Sequence, residues 1–263
     1  MKVVVTGGAG FIGANLCRTL AARDEVTEVV AFDDLSTGFR SNLDGVDATL
    51  VEASFLERDS IDSTVDGAAA VVHLGARPSV PRSVADPVAS HDANSTGTLY
   101  VLEAARAAGG AQVIVASSSS VYGANPVLPK HEDLATRPMS PYAASKLATE
   151  SYALAWQRSY DMPTLAFRFF NVFGPLQAAG HAYAAVVPAF VSAALAGEPL
   201  QVHGDGTQSR DFTYVDTVCA VITDAVQRRV SSPEPVNLAF GSRTNLLEVI
   251  SLLEELLGHE VQV

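Results

Sequence analysis

The chain of 263 residues has few cysteines, few cations and a single tryptophan. Its two cysteines, Cys17 and Cys219, lie far apart and have neither metal nor redox spacing, so both are expected to be buried free thiols. The histidines at 73, 91, 131, 181, 203 and 259 show no metal-ligand spacing, and no metal is expected. Only 17 lysines and arginines stand against 29 aspartates and glutamates, for a net charge of −12. That balance excludes a broad nucleic-acid surface. It leaves room for a phosphorylated small molecule held by a few local donors. Long apolar runs are also missing. The longest uncharged stretch, 169–197, is interrupted by Asn171, Gly174, Pro175, Gln177, Gly180 and Pro188, so no membrane span is expected. The chain enters a strand-like run at Lys2 without a signal-peptide pattern, and a cytoplasmic protein is the expectation.

What the chain does have is core-forming material, 48% apolar against 17% charged residues. Short Val/Ile-rich runs at 2–6, 29–33, 48–52, 70–74, 113–117 and 164–168 alternate with Ala-rich helical patterns. Near-continuous apolar strands separated by helices predict a parallel sheet covered on both faces. Beyond Phe170 the rhythm loosens, with strand-like pieces at 200–203 and 210–214. The expected class is α/β: a Rossmann-type doubly wound parallel sheet over 1–170 with an interleaved return over 207–240, and a smaller α/β C-terminal substrate lobe over 171–263.

The sequence Gly7-Gly8-Ala9-Gly10-Phe11-Ile12-Gly13 follows a strand and opens a helix. Gly7 permits a tight turn, Gly10 lets backbone approach a pyrophosphate, and Gly13 lets the helix pack on the strand. The helix N-terminus then offers unpaired N–H groups and a positive dipole end. Asp33 ends the second strand 20 residues after Gly13. A carboxylate there can accept from ribose hydroxyls and repel a 2′-phosphate, which selects NAD over NADP. The segment Asp33-Asp34-Leu35-Ser36-Thr37-Gly38 is also ordinary turn chemistry.

Tyr142-Ala143-Ala144-Ser145-Lys146 opens a helix after Pro141, and its four-residue spacing places Tyr142 and Lys146 on one face. A tyrosine of ordinary pKa near 10 is a poor base at neutral pH, but a nearby ammonium favours its phenolate. The run Ser117-Ser118-Ser119-Ser120-Val121-Tyr122-Gly123 follows the fifth strand, at the sheet edge where open α/β sheets bind ligands. A hydroxyl there can donate to an oxygen that gains charge during reaction.

Together these segments resemble the extended short-chain dehydrogenase/reductases, within them the NAD-dependent epimerase/dehydratase family and its UDP-hexose 4-epimerases. His73-Leu74-Gly75-Ala76, Val80-Pro81-Arg82-Ser83-Val84, Asn94 and Arg168-Phe169-Phe170-Asn171-Val172-Phe173-Gly174-Pro175 also resemble family segments. So do Ala182-Tyr183-Ala184-Ala185-Val186-Val187-Pro188, Gln201-Val202-His203-Gly204-Asp205-Gly206 and Arg210-Asp211-Phe212.

The resemblance implies NAD bound by Gly7, Gly10, Phe11, Ile12, Gly13, Asp33, Asp34, Ser36, Thr37, Gly38, Ser54, Phe55, Leu74, Gly75, Ala76, Arg77, Asn94, Ser117, Tyr142, Lys146 and Phe170. It implies a UDP-sugar bound by Val80, Ser118, Ser119, Tyr142, Asn171, Val186, Val187, Gln201, Val202, His203 and Arg210, and a homodimer paired through the helices near 94–108 and 142–160. Ser54 stands where NAD-dependent relatives usually carry an aspartate near the adenine, and Arg77 stands where a neutral residue is common. Relatives continue beyond the position of Val263, so the substrate lobe is expected to be incomplete at its C-terminal end.

Dehydratase relatives carry an acidic pair just before the Val-Tyr-Gly step, and decarboxylating relatives a glutamate. Ser119 and Ser120 occupy those positions here, and elimination needs a general acid and base beyond the tyrosine. The expected reaction is therefore C4 epimerisation, with Tyr142 as proton carrier, Ser118 as donor to the sugar 4-oxygen and Lys146 supporting the phenolate. The alternative is net NAD-dependent oxidation of a nucleotide sugar.

Overall fold

The computed structural model describes residues 1–179 and 185–263. Six strands follow the first half of the chain: β1 (Lys2–Thr6), β2 (Glu28–Asp33), β3 (Thr49–Glu52), β4 (Ala70–His73), β5 (Gln112–Ser118) and β6 (Thr164–Phe169). Between and after them lie α1 (Phe11–Ala21), α2 (Arg58–Val65), the short α3 (Val80–Ala85) and α4 (Pro87–His91), α5 (Gly97–Ala107) and α6 (Pro141–Tyr160). The remainder contributes β7 (Asn171–Phe173), α7 (Val186–Ala196), β8 (Ser209–Arg210), β9 (Phe212–Tyr214), α8 (Val215–Gln227), β10 (Val236–Leu238), β11 (Thr244–Asn245) and α9 (Leu246–Leu257).

Seven strands form one all-parallel sheet in the order β10-β6-β5-β4-β1-β2-β3. Its strands are apolar on both sides because each face is covered. Leu16, Leu20, Val218 and Ile222 of α1 and α8 pack on one face with Val3, Val5 and Ile114. Ile61, Val101, Leu102 and Ala153 of α2, α5 and α6 pack on the other with Val4, Val71 and Val113. A third, smaller cluster of Phe190, Ala194, Leu200, Leu246 and Ile250 joins α7 to α9. The fold is thus a Rossmann-type doubly wound sheet with a small second lobe.

The early strands fall within one or two residues of the expected ranges. The later ones depart from them. The expected strand at 200–203 does not form. There Leu200 N–H donates to Gln262 O at 2.8 Å and the Gln208 amide donates to His203 O at 2.6 Å, and Gly204 follows with positive φ. The expected single piece at 210–214 is divided. Ser209–Arg210 pairs antiparallel with β11, and Phe212–Tyr214 pairs parallel with β7. Asp211 sits at the break and accepts from Phe240 N–H (3.1 Å) and Gly241 N–H (2.7 Å). The short β10 extends the main sheet beside β6, and α8 returns the chain to α1.

The strand–helix junction after β1 is tightly closed. Gly7 has φ +69°, and an added Cβ would lie 2.8 Å from Gly75 N. At Gly13 a Cβ would lie 2.0 Å from Gly7 O. Gly13→Ala is therefore expected to cost roughly 3 kcal/mol, the upper end for overpacking, and to lower the thermal midpoint measured by circular dichroism. An unchanged midpoint would contradict this account of the turn.

Candidate active site

A continuous cleft of about 1510 Å³ runs along the carboxyl edge of the sheet and under the second lobe. A single small-molecule pocket is typically about 300–1,000 Å³, so this cleft has room for two ligands placed end to end.

At one end lies the glycine turn. Gly7, Gly10, Phe11, Ile12 and Gly13 line the wall, with Asp33, Asp34, Ser36 and Thr37 beside them. Asp33 is buried at the end of β2. Its carboxylate accepts from Ala9 N–H at 3.0 Å and Leu35 N–H at 2.8 Å. Burial pushes its carboxyl above the usual carboxylate range, against the pull of those amides. A carboxylate offers about four lone-pair sites, so acceptor capacity remains for a ligand while the same group ties the glycine turn to the strand. Phe55, Leu74, Gly75, Ala76 and Arg77 continue the wall.

The middle of the cleft holds Ser117, Ser118, Tyr142, Lys146 and Phe170. The helix α6 starts where it does because Ser140 caps it, accepting from Ala143 N–H at 3.1 Å, and Pro141 occupies its first turn. Ser83 of α3 accepts from Tyr142 N–H at 3.0 Å and pins this helix start from outside. Ser118 accepts from both Ser120 N–H (3.2 Å) and the Ser120 hydroxyl (2.9 Å). With both lone pairs engaged, what Ser118 has left to offer is its O–H, which shares the cleft wall with Tyr142. Burial raises the Tyr142 phenol above its ordinary value, and Ser118 pulls it back down. Lys146 is 5% exposed, and its ammonium donates to Ala116 O at 2.8 Å. Burial lowers that ammonium from 10.5 to about 8.

His73, at the end of β4, is fully enclosed. Its Nδ1 lies 2.7 Å from Thr6 Oγ1, and the Phe55 ring meets it edge-on at 5.3 Å. Burial, with the Lys146 charge second, drives it down to about 3. It is a neutral packing histidine.

At the far end Asn171, Val186, Val187, Gln201, His203 and Arg210 line the wall. Asn171 spends one amide proton on Asp211 O (3.0 Å) and Arg210 one of its donors on Ser209 O (2.9 Å), so each keeps further donors. The first part of the run expected to hold uridine, 182–184, lies outside the described residues.

Several residues expected at the ligands do not line this wall. Gly38 packs against Ala9 and Asp33. Ser54 accepts from Leu56 N–H at 3.2 Å and closes a turn, which leaves Phe55 and Leu56 facing the cleft. Asn94 is buried in a π-turn (Asp92–Thr96), accepts from Arg77 N–H at 2.7 Å and donates to Ser145 Oγ at 2.9 Å, so it braces the Arg77 loop against α6. Val80 is an exposed first residue of α3. Ser119 lies in the 3₁₀ turn Ser119–Tyr122, and Val202 packs in the α7–α9 cluster. The wall in turn includes Phe39, Asn42, Asp92, Gln177 and Gln208, which the motifs did not single out, and Arg82 and Phe212, whose signal was their place in the family-like segments 80–84 and 210–212. Arg77 makes a partly exposed 3.7 Å pair with Asp86. No group of three or more His, Cys, Asp or Glu is placed to hold a metal among the described residues, and no described helix is long and apolar enough to cross a membrane.

Comparison with known proteins gives this geometry a family. The UDP-glucose 4-epimerase of Mycolicibacterium smegmatis is 40% identical over 225 residues, which cover 83% of this chain and 71% of the relative. A UDP-N-acetylglucosamine 4-epimerase from Methanobrevibacter ruminantium, solved in complex with UDP-N-acetylmuramic acid, superposes with a TM-score of 0.93 at 35% identity, covering 100% of this chain and 84% of that one. A dTDP-glucose 4,6-dehydratase from Streptomyces venezuelae, solved with NAD bound, superposes with a TM-score of 0.88 at 30% identity, covering 99% of this chain and 82% of that one. The model of the NAD dependent epimerase/dehydratase family matches residues 3–239, and the chain belongs to that family.

Proposed function

We propose that the protein interconverts the C4 epimers of a UDP-hexose (UDP-glucose and UDP-galactose, a UDP-N-acetylhexosamine or a UDP-hexuronate) with NAD as cofactor, through a transient 4-keto sugar. One observation carries the reading. Ser118, Tyr142 and Lys146 come together on the wall at the middle of the cleft, and Ser120 donates twice to Ser118, which leaves the Ser118 O–H to offer. The two 4-epimerase relatives support the sugar class. The dehydratase neighbour marks the competing reaction, which lacks support at Ser119 and Ser120 because hydroxyls cannot do the acid–base work of a carboxylate there.

The residues present fit NAD. The glycine turn has no side chain in the way of a pyrophosphate, the first turn of α1 has no acidic residue to repel one, and Asp33 keeps acceptor capacity beside it. Gly7–Gly13, Asp33 and Lys146 would hold the cofactor, in a unit of residues 1–170 with the return over 207–240. When bound, NAD supplies a reversible two-electron acceptor at the sugar carbon. Tyr142 takes the proton of the 4-hydroxyl and returns it after the keto sugar has turned. Ser118 donates to the 4-oxygen as charge builds there. Lys146 favours the Tyr142 phenolate through its charge. Arg210, Asn171, Gln201 and His203, in the unit 171–263, would hold the uridine diphosphate. Arg210 brings a forked donor set suited to phosphate oxygens.

The outer faces of α5 and α6 support a homodimer. Tyr152, Trp156 and Tyr160 form a ring ladder with spacings of 5.9 and 5.3 Å, and Arg106 stacks on Tyr160 at 5.1 Å. Tyr152 and Tyr160 are partly exposed. Such an aromatic and arginine surface is typical of interfaces. Sedimentation velocity is expected to give a dimer, and a monomer at all concentrations would remove this part of the reading.

The function is tested by incubating the purified protein, without added NAD, with UDP-glucose, UDP-N-acetylglucosamine and UDP-glucuronate in turn, and following C4 configuration by proton NMR. Interconversion without NADH build-up is expected for one of them, and stoichiometric NADH would show a net oxidoreductase instead. Tyr142→Phe is expected to lower kcat by about 10²–10⁴, the range for a general acid–base group. An unimpaired kcat would exclude Tyr142 from the proton transfer.

The buried ammonium also has a stability signature. Lys146 in the folded protein titrates near 8, below its ordinary 10.5. The unfolded chain therefore holds this proton more tightly, the penalty is fully present below pH 8, and it is relieved as pH rises toward 10.5. In the ligand-free protein Lys146→Met is expected to raise stability at pH 7, with the gain shrinking between pH 8 and 10.5 in denaturant titrations. A gain that does not change with pH would show that Lys146 is not the group responsible.

A further inference from the structure

Behind the cleft lies a charge pair that the proposed chemistry does not use. Glu150 and Arg168 are each about 3% exposed. Arg168 donates to Glu150 twice, from Nε at 2.9 Å and from Nη2 at 2.7 Å, in a forked geometry. The Ser117 hydroxyl makes a third donation to the same carboxylate at 2.9 Å and also reaches Lys146 O at 3.4 Å. On its other side the guanidinium donates to the Tyr122 hydroxyl at 2.9 Å and stacks over that ring at 4.7 Å. Tyr122 in turn donates to Asn237 Oδ1 at 2.7 Å, and Glu132 accepts from Asn237 N–H at 2.7 Å.

Every link joins a different element. Glu150 stands on α6, one turn after Lys146 and two turns after Tyr142, so the three share one helix face. Arg168 is on β6, Ser117 on β5, Tyr122 in the 3₁₀ turn that follows Ser118, and Asn237 on β10. A buried ion pair is weak support for stability, because apolar replacements of similar volume are often as stable. Its distinctive property is directional, since a forked pair with three acceptor bonds fixes distance and rotation together.

We propose that Glu150 and Arg168 are positioning residues. The pair clamps the helix carrying Tyr142 and Lys146 to the ends of β5 and β6, and Tyr122 transmits the same restraint to the Ser118 turn and to β10. Ser117 is the shared pin, its single hydroxyl proton given mainly to the Glu150 carboxylate and shared at longer range with the Lys146 main-chain carbonyl. The clamp itself is read from the structure, and only its effect on turnover rests on the epimerase reading.

The test compares Tyr122→Phe, Arg168→Lys and Glu150→Gln with the natural protein by three measurements. These are thermal midpoint, the emission and affinity of bound NADH, and kcat and KM on whichever UDP-sugar the natural protein turns over. Tyr122→Phe removes only a hydroxyl, and Arg168→Lys keeps the charge but not the fork, so both are expected to fold. Misplacement of reacting groups by a distant change costs up to about 10²-fold in rate. We therefore expect kcat to fall about threefold in Tyr122→Phe, tenfold in Arg168→Lys and a hundredfold in Glu150→Gln, with KM within about twofold. The emission of NADH bound beside Lys146 is expected to shift in the same order. Lowered midpoints with natural kcat and natural NADH emission, measured well below the midpoint, would make the pair a structural element only and overturn the proposal. Failure of all three variants to fold would overturn it equally. If the natural protein turns over none of the UDP-sugars, the epimerase reading fails alone, and the clamp is then decided by NADH emission.

Discussion

The structure depends on one constraint: all seven strands of the main sheet run the same way, so all their carboxyl ends arrive at one edge. Each connection must cross over a face, and the strand order reverses direction between the neighbours β1 and β4. Helices leaving these neighbours depart to opposite faces and cannot close the gap between them. The cleft is that gap, extended by the lobe formed from α7, α9 and the short strands. The glycine turn, the serine turn and the start of α6 face one another because each follows a strand that ends there.

A second constraint is dryness. Among the described residues the buried Lys146 has no carboxylate partner, and its ammonium donates to the Ala116 main-chain carbonyl. An unpaired buried cation is costly, and its lowered proton affinity is the direct consequence. The same burial raises the Tyr142 phenol. The two shifts oppose each other along a single helix face, with the phenol held toward its neutral form and the ammonium made readier to release its proton. The environment therefore spreads their ionisations further apart than in the free side chains, so that Lys146, near 8, gives up its proton well before Tyr142 does.

The fold was largely readable from the sequence because its signals are local. A run such as Lys2-Val3-Val4-Val5-Thr6 followed by closely spaced glycines has few alternatives, and β1 to β6 fall where Val/Ile runs predict. The common placement of Tyr142, Lys146 and Ser118 on the cleft wall was legible for the same reason, as spacing on one helix face and hydroxyls at a strand end. Elements beyond Phe170 were not, because tertiary partners decide them. The alternating piece 200–203 has the composition of a strand but forms no ladder among the described residues, whereas the equally short Val236–Leu238 pairs with the edge of β6. Ser54 and Asn94 show the limit on the site side. Residue type and position suggested contact with a ligand, and what position alone did not show is that Ser54 also accepts from Leu56 N–H and Asn94 also braces the Arg77 loop. The Glu150–Arg168 pair was invisible to motif reading for the converse reason. Its members are 18 residues apart on different elements, and only the packing of α6 on β5 and β6 makes them one group.

The serine turn is where this chain parts from a dehydratase on an otherwise similar scaffold. A carboxylate pair beside Ser118 would compete for its hydrogen and place negative charge next to the Tyr142 phenol, raising it further. Ser120 does the reverse. By donating twice to Ser118 it occupies that oxygen's lone pairs and leaves its proton free to donate, and Ser118 pulls the Tyr142 phenol down. A hydroxyl at this position therefore sets the direction of a hydrogen bond rather than supplying a second acid. That arrangement favours moving one proton back and forth at the sugar 4-oxygen over removing a second proton elsewhere on the ring.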